Sequence, residues 1–71
     1  MTKLKSPAQK LNLIREGLQQ RNKTQSWLAG ELDLELKTIN NYINNRRQPT
    51  LGQLFEIAKA LKMNVKDLIN S

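Results

Sequence analysis

The chain has 71 residues, a formal net charge of +6 at pH 7 and a sequence pI of about 10.1. This length suits one small domain, expected over residues 1–71, and excludes a second one. Cysteine and histidine are both absent, which excludes disulfides, thiolate metal sites and histidine-based catalysis.

Residues 7–21 are predicted to form the first helix. It begins with a capping box, Ser6 to Gln9, that places proline at the first helical position. Gly17 lies inside this helix at a cost of roughly 1 kcal/mol relative to alanine, and a close helix crossing would explain it. The predicted inner stripe consists of Leu11, Ile14 and Leu18.

Two short amphipathic helices joined by a tight turn follow, predicted over residues 25–32 and 36–45. Thr24 is the expected N-cap of the first of them. Asn45 is expected to end the second in the left-handed conformation that glycine usually supplies. The apolar positions are Leu28, Ala29, Leu32, Ile39, Tyr42 and Ile43, with Leu34 packed inside the turn.

The exposed face of the second of these helices carries carboxamides and one lysine, with no acid between residues 36 and 44. At about 100° per residue, an inward Ile39 places this polar set outward. Asparagine can bond adenine and lysine can bond guanine, while arginine suits phosphates. The alternative is a solvated face that happens to be rich in asparagine. The candidates are Lys37, Asn41 and Asn44, flanked by Thr38 and Asn40 and followed by Arg46 and Arg47.

Trp27 is the only tryptophan and lies off the apolar stripe of its helix. We expect it to be half-buried against the end of the first helix. A stacking platform for a base is the alternative. Proteins that bind single strands by stacking usually present several aromatic residues, whereas this chain has one Trp, one Tyr and one Phe.

Two further helices are predicted over residues 51–62 and 65–70. Pro49 prevents the preceding helix from continuing, and Thr50 to Gln53 forms a second capping box. Asn64 is expected to cap the last helix, which presents Val65, Leu68 and Ile69. No strand pattern is present in the sequence. The predicted inner residues of the fourth helix are Leu51, Leu54, Ala58 and Leu61, with Phe55 and Ile57 beside them.

With these elements placed, the chain resembles the phage-repressor-like (Cro/XRE-type) helix-turn-helix family from about Leu11 to Ile69. The segments that carry the resemblance are TQSWLAGEL, KTINNYINNRRQP and TLGQLFEIAKALKMNVKDLI. The resemblance implies a compact all-α, five-helix, lambda-repressor-like domain that binds operator DNA. Its helix at 36–45 would be the recognition helix, which enters the major groove.

The resemblance also implies roles for individual residues. Gln25 occupies the position of the family's phosphate-binding glutamine, in a first helical turn whose N–H groups favour an anion. Leu36, Lys37 and Asn41 occupy base-contacting positions. Base or phosphate contacts are implied for Thr38, Asn40 and Asn44, and backbone contacts for Arg46 and Arg47.

The turn departs from the family pattern. Asp33 replaces the usual glycine, and aspartate tolerates the left-handed region. Glu35 replaces the frequent Ser or Thr cap, so Glu31, Asp33 and Glu35 place three acids around the turn. They would repel any phosphate that they faced, although Glu35 could instead accept a bond from cytosine. Leu36 could be partly core or could contact a thymine methyl group.

A second departure lies at Leu18 and Ile43. Many members of the family pair an arginine in the first helix with a glutamate near the end of the recognition helix, at these two positions. Since both partners are apolar here, the resemblance predicts an apolar contact in place of an ion pair.

These observations lead us to expect a cytoplasmic, sequence-specific regulator of transcription that binds double-stranded DNA, with repression as its role. We expect a homodimer on a palindromic operator. The alternative is a protein-interaction module, such as an antitoxin-like partner with weak or lost DNA binding, which the acids at the turn favour. An enzyme is not expected because no nucleophile–base or carboxylate pair is evident. No metal, cofactor, small-molecule ligand or membrane role is expected either. The candidate dimer surface contains Met63, Val65 and Ile69.

Overall fold

The computed structural model describes residues 11–69 of the chain. Within this range the regular structure is helical, and the one extended pairing is an isolated bridge between Asn12 and Ile69. None of the helices in this range has the length and apolar character needed to cross a membrane. The elements are α1 (Ile14–Arg21), α2 (Gln25–Leu32), α3 (Leu36–Ile43), α4 (Leu51–Leu61) and a single 3-10 turn, Val65–Leu68.

The first helix begins at Ile14, so the predicted helix is wrong over residues 11–13, and its predicted start at residue 7 lies outside the described residues. Before α1, Asn12 forms the isolated bridge with Ile69, and the backbone N–H of Leu13 donates to the carbonyl of Leu68 at 2.8 Å. The side-chain Oδ1 of Asn12 also accepts from the N–H of Ile14 at 3.2 Å, a local bond that competes with helix formation. Leu11 is 45% exposed and does not belong to the inner stripe. The predicted capping box, Ser6 to Gln9, lies outside the described residues.

Two of the predicted helix starts are confirmed. Thr24 Oγ1 accepts from the N–H of Trp27 at 3.0 Å at the start of α2. At the start of α4 the N–H of Gln53 donates to Thr50 Oγ1 at 3.1 Å, and the N–H of Thr50 donates to Gln53 Oε1 at 3.3 Å. This reciprocal pair is a complete capping box.

The turn between α2 and α3 depends on a left-handed residue, as predicted. Asp33 has φ 54° and ψ 44°, and the following N–H, of Leu34, donates to the carbonyl of Ala29 at 3.0 Å. The α3 helix ends at Ile43, two residues before the predicted end at 45. Asn45 then adopts the predicted left-handed conformation, with φ 56°.

The core has contributions from all four helices and the 3-10 turn. The predicted inner face of α4 is partly wrong, since Leu51 is 65% exposed and Phe55 is 53% exposed. The buried stripe has a spacing of three and four residues, which covers one face of a helix. Its members are Leu54, Ile57, Ala58 and Leu61.

The predicted fifth helix at 65–70 is also wrong, because the segment forms only the 3-10 turn Val65–Leu68. Asn64 precedes this turn without a side-chain cap bond. Ile69 is extended and pairs with Asn12, so the chain leaves the helical conformation in order to join the segment before α1. Leu68 is fully buried at this junction.

Trp27 is half-buried, as predicted, and it packs against the buried core cluster. The Nζ atom of Lys23, in the connector after α1, lies 4.9 Å from the centroid of its ring. This distance is suitable for a cation–π interaction.

Gly17 lies at the close helix crossing that its position in the sequence suggests. A Cβ atom built at this residue would lie 2.9 Å from Cδ2 of Leu68 and 3.2 Å from Cδ1 of Leu61. These distances are shorter than ordinary carbon contacts. The absence of a side chain therefore lets α1 approach the end of α4 and the 3-10 turn.

We predict different effects of alanine at two helical glycines. Gly30 is exposed in α2, and a Cβ built there would have no neighbour within 4 Å. Gly30→Ala should therefore raise the free energy of unfolding by up to about 1 kcal/mol, through helix propensity. Gly17→Ala should gain less or destabilise, because the buried Leu68 side chain must move. Urea denaturation of the two variants measures this difference, and equal gains would contradict the close packing at Gly17.

Candidate nucleic-acid interface

The exposed face of α3 is polar and accessible. Lys37 is exposed, and Leu36 at 49% exposure is a surface residue and not a core residue. Asn41 is partly exposed, and no other residue in the described range hydrogen-bonds to its side chain. Its carboxamide is therefore available to donate and accept at the same time, as bidentate recognition of adenine requires.

Three of the predicted site residues come together through their side chains. The Nδ2 atom of Asn44 donates to Oδ1 of Asn40 at 3.2 Å. The Nδ2 atom of Asn40 in turn donates to Oε1 of Gln25 at 3.4 Å. These bonds connect the first residue of α2 to the face of α3, so the predicted phosphate-binding glutamine adjoins the predicted base-contacting helix.

Arg15 is a neighbour of this face that sequence reasoning missed. It lies on α1, and its Nη2 donates to Oδ1 of Asn44. The two residues are 29 positions apart in the chain. The sequence offers no local signal for this contact, since it depends on how α1 packs against α3.

The segment after α3 carries two exposed cations, Arg46 and Arg47. Their backbone N–H groups both donate to the carbonyl of Asn41, at 3.0 and 3.3 Å. Across residues 11–69, neither guanidinium forms an ion pair or a side-chain hydrogen bond. Both side chains are free to bind an anion beside the end of α3.

The end of α3 is held in place by two asparagines. Asn45 Oδ1 accepts from the N–H groups of Leu11 and Asn12, each at 2.9 Å. Asn12 is 3% exposed, and its Nδ2 donates to the carbonyl of Tyr42 and to Oε1 of Gln48, both at 2.9 Å. A buried carboxamide satisfied in this way fixes the end of α3 against the start of α1. The backbone conformation of Asn45 could be predicted from the sequence, whereas the side-chain roles of Asn45 and Asn12 could not.

The acids of the turn are exposed, and two of them adjoin α4. Glu31 and Asp33 border a shallow groove together with Gln53 and Glu56 of α4. Glu35 immediately precedes α3 and makes no side-chain cap bond. The hydrogen-bonded side chains of Gln25, Asn40 and Asn44, by contrast, lie at α3 and the start of α2. In the range that the structure describes, no group of acidic side chains is arranged to hold a metal ion.

Both the sequence and the fold are similar to those of known proteins. A sequence model described as Helix-turn-helix matches residues 14–68. The chain is 35% identical over 63 residues to antitoxin HipB of Escherichia coli (strain K12), an alignment that covers 89% of this chain and 72% of HipB. It also superimposes on the crystal structure of a candidate DNA-binding protein from Bacteroides fragilis. The superposition has a TM-score of 0.83, with 33% sequence identity, and it covers 84% of this chain and 97% of the other chain.

Proposed function

Since this chain belongs to the Cro/XRE-type helix-turn-helix family, we propose that it is a sequence-specific transcriptional regulator, acting as a repressor, that binds double-stranded DNA. The observation that supports this proposal is that the α3 surface presents accessible polar and basic side chains. Within residues 11–69 the Asn41 carboxamide has no hydrogen-bond partner, and in the sequence it stands between an exposed Lys37 and two exposed arginines. The same surface is free of acids from Leu36 to Arg47.

In this proposal α3 enters the major groove. Asn41 bonds the N6 and N7 edge of an adenine, and Lys37 bonds a guanine or a nearby phosphate. Leu36, exposed at the start of α3, contacts a thymine methyl group. The other proposed site residues contact the DNA backbone or the edges of neighbouring bases. They are Gln25, Thr38, Asn40, Asn44, Arg46 and Arg47.

The charge of the chain supports binding to a polyanion. A net charge of +6 gives a favourable long-range interaction with DNA. Contacts to phosphates also release counterions, so the affinity should fall steeply as the salt concentration rises.

We further propose a homodimer on a palindromic operator. One short recognition helix contacts only a few base pairs, whereas two copies about 34 Å apart would double the site on one face of the DNA. The candidate dimer surface lies at α4 and the 3-10 turn, where Met63 and Val65 border a groove with Phe55, and Ile69 is 41% exposed. Footprinting should show two symmetrical half-sites, and protection of a single half-site would contradict the dimer.

A protein-interaction module is the second candidate function. The similarity to antitoxin HipB favours it, as do the three acids around the turn. In this case the chain would act chiefly by binding a protein partner, with weak or lost affinity for DNA.

A gel-shift experiment with fragments of the source genome separates the two candidates. At low salt, a DNA-binding regulator should shift a subset of fragments, and the shift should persist when excess competitor DNA is added. An interaction module should shift no fragment, or the competitor should abolish every shift. Selection of bound sites from a random DNA pool would then define the operator.

A further inference from the structure

A chain of side-chain hydrogen bonds crosses the proposed DNA-binding face from α1 to α2. Arg15 donates to Asn44, Asn44 donates to Asn40 at 3.2 Å, and Asn40 donates to Gln25 at 3.4 Å. We refer to these four residues as the amide relay. It joins three helices through side chains that are partly or fully exposed.

The relay has a direction, and Arg15 sets it. A guanidinium has only donors, so the carboxamide of Asn44 must turn its oxygen toward Arg15. The amide nitrogen of Asn44 then points to Asn40, whose own nitrogen points to Gln25. Each carboxamide accepts on one side and donates on the other, so one fixed donor orients all three.

The last member of the relay ends as a donor. Because Oε1 of Gln25 accepts from Asn40, its Nε2 group is left over, and no other described residue binds it. A phosphate oxygen needs a donor. In the reversed relay Gln25 would donate to Asn40 and present its oxygen outward, which would repel a phosphate.

Without Arg15, the two directions would be nearly equivalent. Three linked carboxamides can flip together and keep the same number of hydrogen bonds between them. Flipping costs little when no charged donor occupies one end, so the DNA-competent orientation would have to be selected on binding. Fixing it in advance removes that cost.

We propose that Arg15 is a positioning residue that orients the Gln25 carboxamide as a phosphate donor through Asn44 and Asn40. This inference rests on the proposed DNA-binding function. A simpler role for Arg15 would be that of one more surface cation near the DNA. The two roles differ in one respect: only the positioning role makes the effect of Arg15 depend on Gln25.

The relay can be tested first in the protein without DNA. The side-chain amide resonances of Asn40, Asn44 and Gln25 are compared by NMR in the wild type and in Arg15→Met. Arg47→Met is the matched control, because Arg47 is also exposed but has no side-chain partner within residues 11–69. The resonances should move in Arg15→Met and stay in place in the control. Unchanged resonances in Arg15→Met would overturn the relay.

The second test is a double-mutant cycle of DNA affinity with Arg15→Met and Gln25→Ala. Arg15→Met should weaken binding by roughly three- to tenfold in the wild-type background, the range of one hydrogen bond. In the Gln25→Ala background the effect should be smaller by at least about threefold. The parallel cycle with Arg47→Met should be additive. Thermal unfolding of each variant verifies that the fold is retained.

The outcomes separate the positioning role from the proposed function. If the wild type binds DNA and the Arg15–Gln25 cycle is additive, Arg15 is an ordinary cation and the positioning role is overturned. If the wild type retains no DNA fragment, the proposed function itself fails, and the positioning role fails with it even where the NMR test succeeds.

Discussion

Replacing Ile43 with glutamate should lower the free energy of unfolding by about 3 kcal/mol or more, a decrease that a domain of this size cannot readily absorb. Ile43 is 3% exposed at the end of α3, and Leu18 of α1 is 4% exposed. Both belong to the same buried cluster and border the same groove between the two helices. A carboxylate placed there would be desolvated beside an apolar side chain.

The second step of this experiment adds Leu18→Arg. If Leu18 faces position 43, an arginine there should form an ion pair with the new glutamate and recover part of the stability. Leu18→Arg without the glutamate should be destabilising, because it leaves one buried charge unpaired. Arg15 and Lys23 border the same groove, but both are exposed and should compensate the glutamate only weakly. Urea denaturation of the two single variants and the double variant gives the coupling energy, and a double variant no more stable than the sum predicts would refute the contact.

The features of the fold that could be predicted from sequence are those determined by neighbouring residues. Thr24 and Thr50 cap their helices through bonds to residues three positions ahead, a spacing visible in the sequence. Asp33 and Asn45 adopt left-handed conformations because each follows the end of a helix and has a short polar side chain. Local chemistry is sufficient at all four positions.

The features that sequence analysis missed depend on packing between distant segments. The start of α1 shifts to Ile14 because Leu13 pairs with Leu68, a contact between the two ends of the described chain. On α4, Leu51 and Phe55 extend the hydrophobic pattern, and periodicity cannot show which of two adjacent stripes faces the core. The start of α1 and the buried face of α4 are therefore both set by contacts between distant segments.

The candidate site divides in the same way. The outward direction of Lys37, Asn41 and Asn44 follows from the helical period around Ile39, and the structure places Lys37 on the surface and the two asparagines partly exposed. The contribution of Arg15, by contrast, arises from a contact across 29 positions of sequence. A motif confined to α2 and α3 contains no information about it.

Asn41→Ala and Arg47→Ala should impair DNA binding in different ways. Asn41 lies on the outward face of α3, and its carboxamide has no hydrogen-bond partner among the described residues. Removing it should cost about 1–3 kcal/mol per half-site and relax the preference at one base position, expected to be an A·T pair. Arg47→Ala, and Arg46→Ala in parallel, should instead weaken binding to all sequences about equally. Each should also reduce the slope of log affinity against log salt concentration by about one unit, because one phosphate is no longer neutralised.

The measurement is a selection of bound sites from a random DNA pool for each variant, with affinities for the selected site at several salt concentrations. Since none of the three side chains is buried, the alanine variants should remain folded, and circular dichroism verifies this. If Asn41 merely solvates α3, Asn41→Ala will leave affinity and base preference unchanged. If Arg47→Ala also abolishes binding, the protein binds DNA only through the phosphate backbone of the DNA, and the base recognition assigned to Asn41 is wrong.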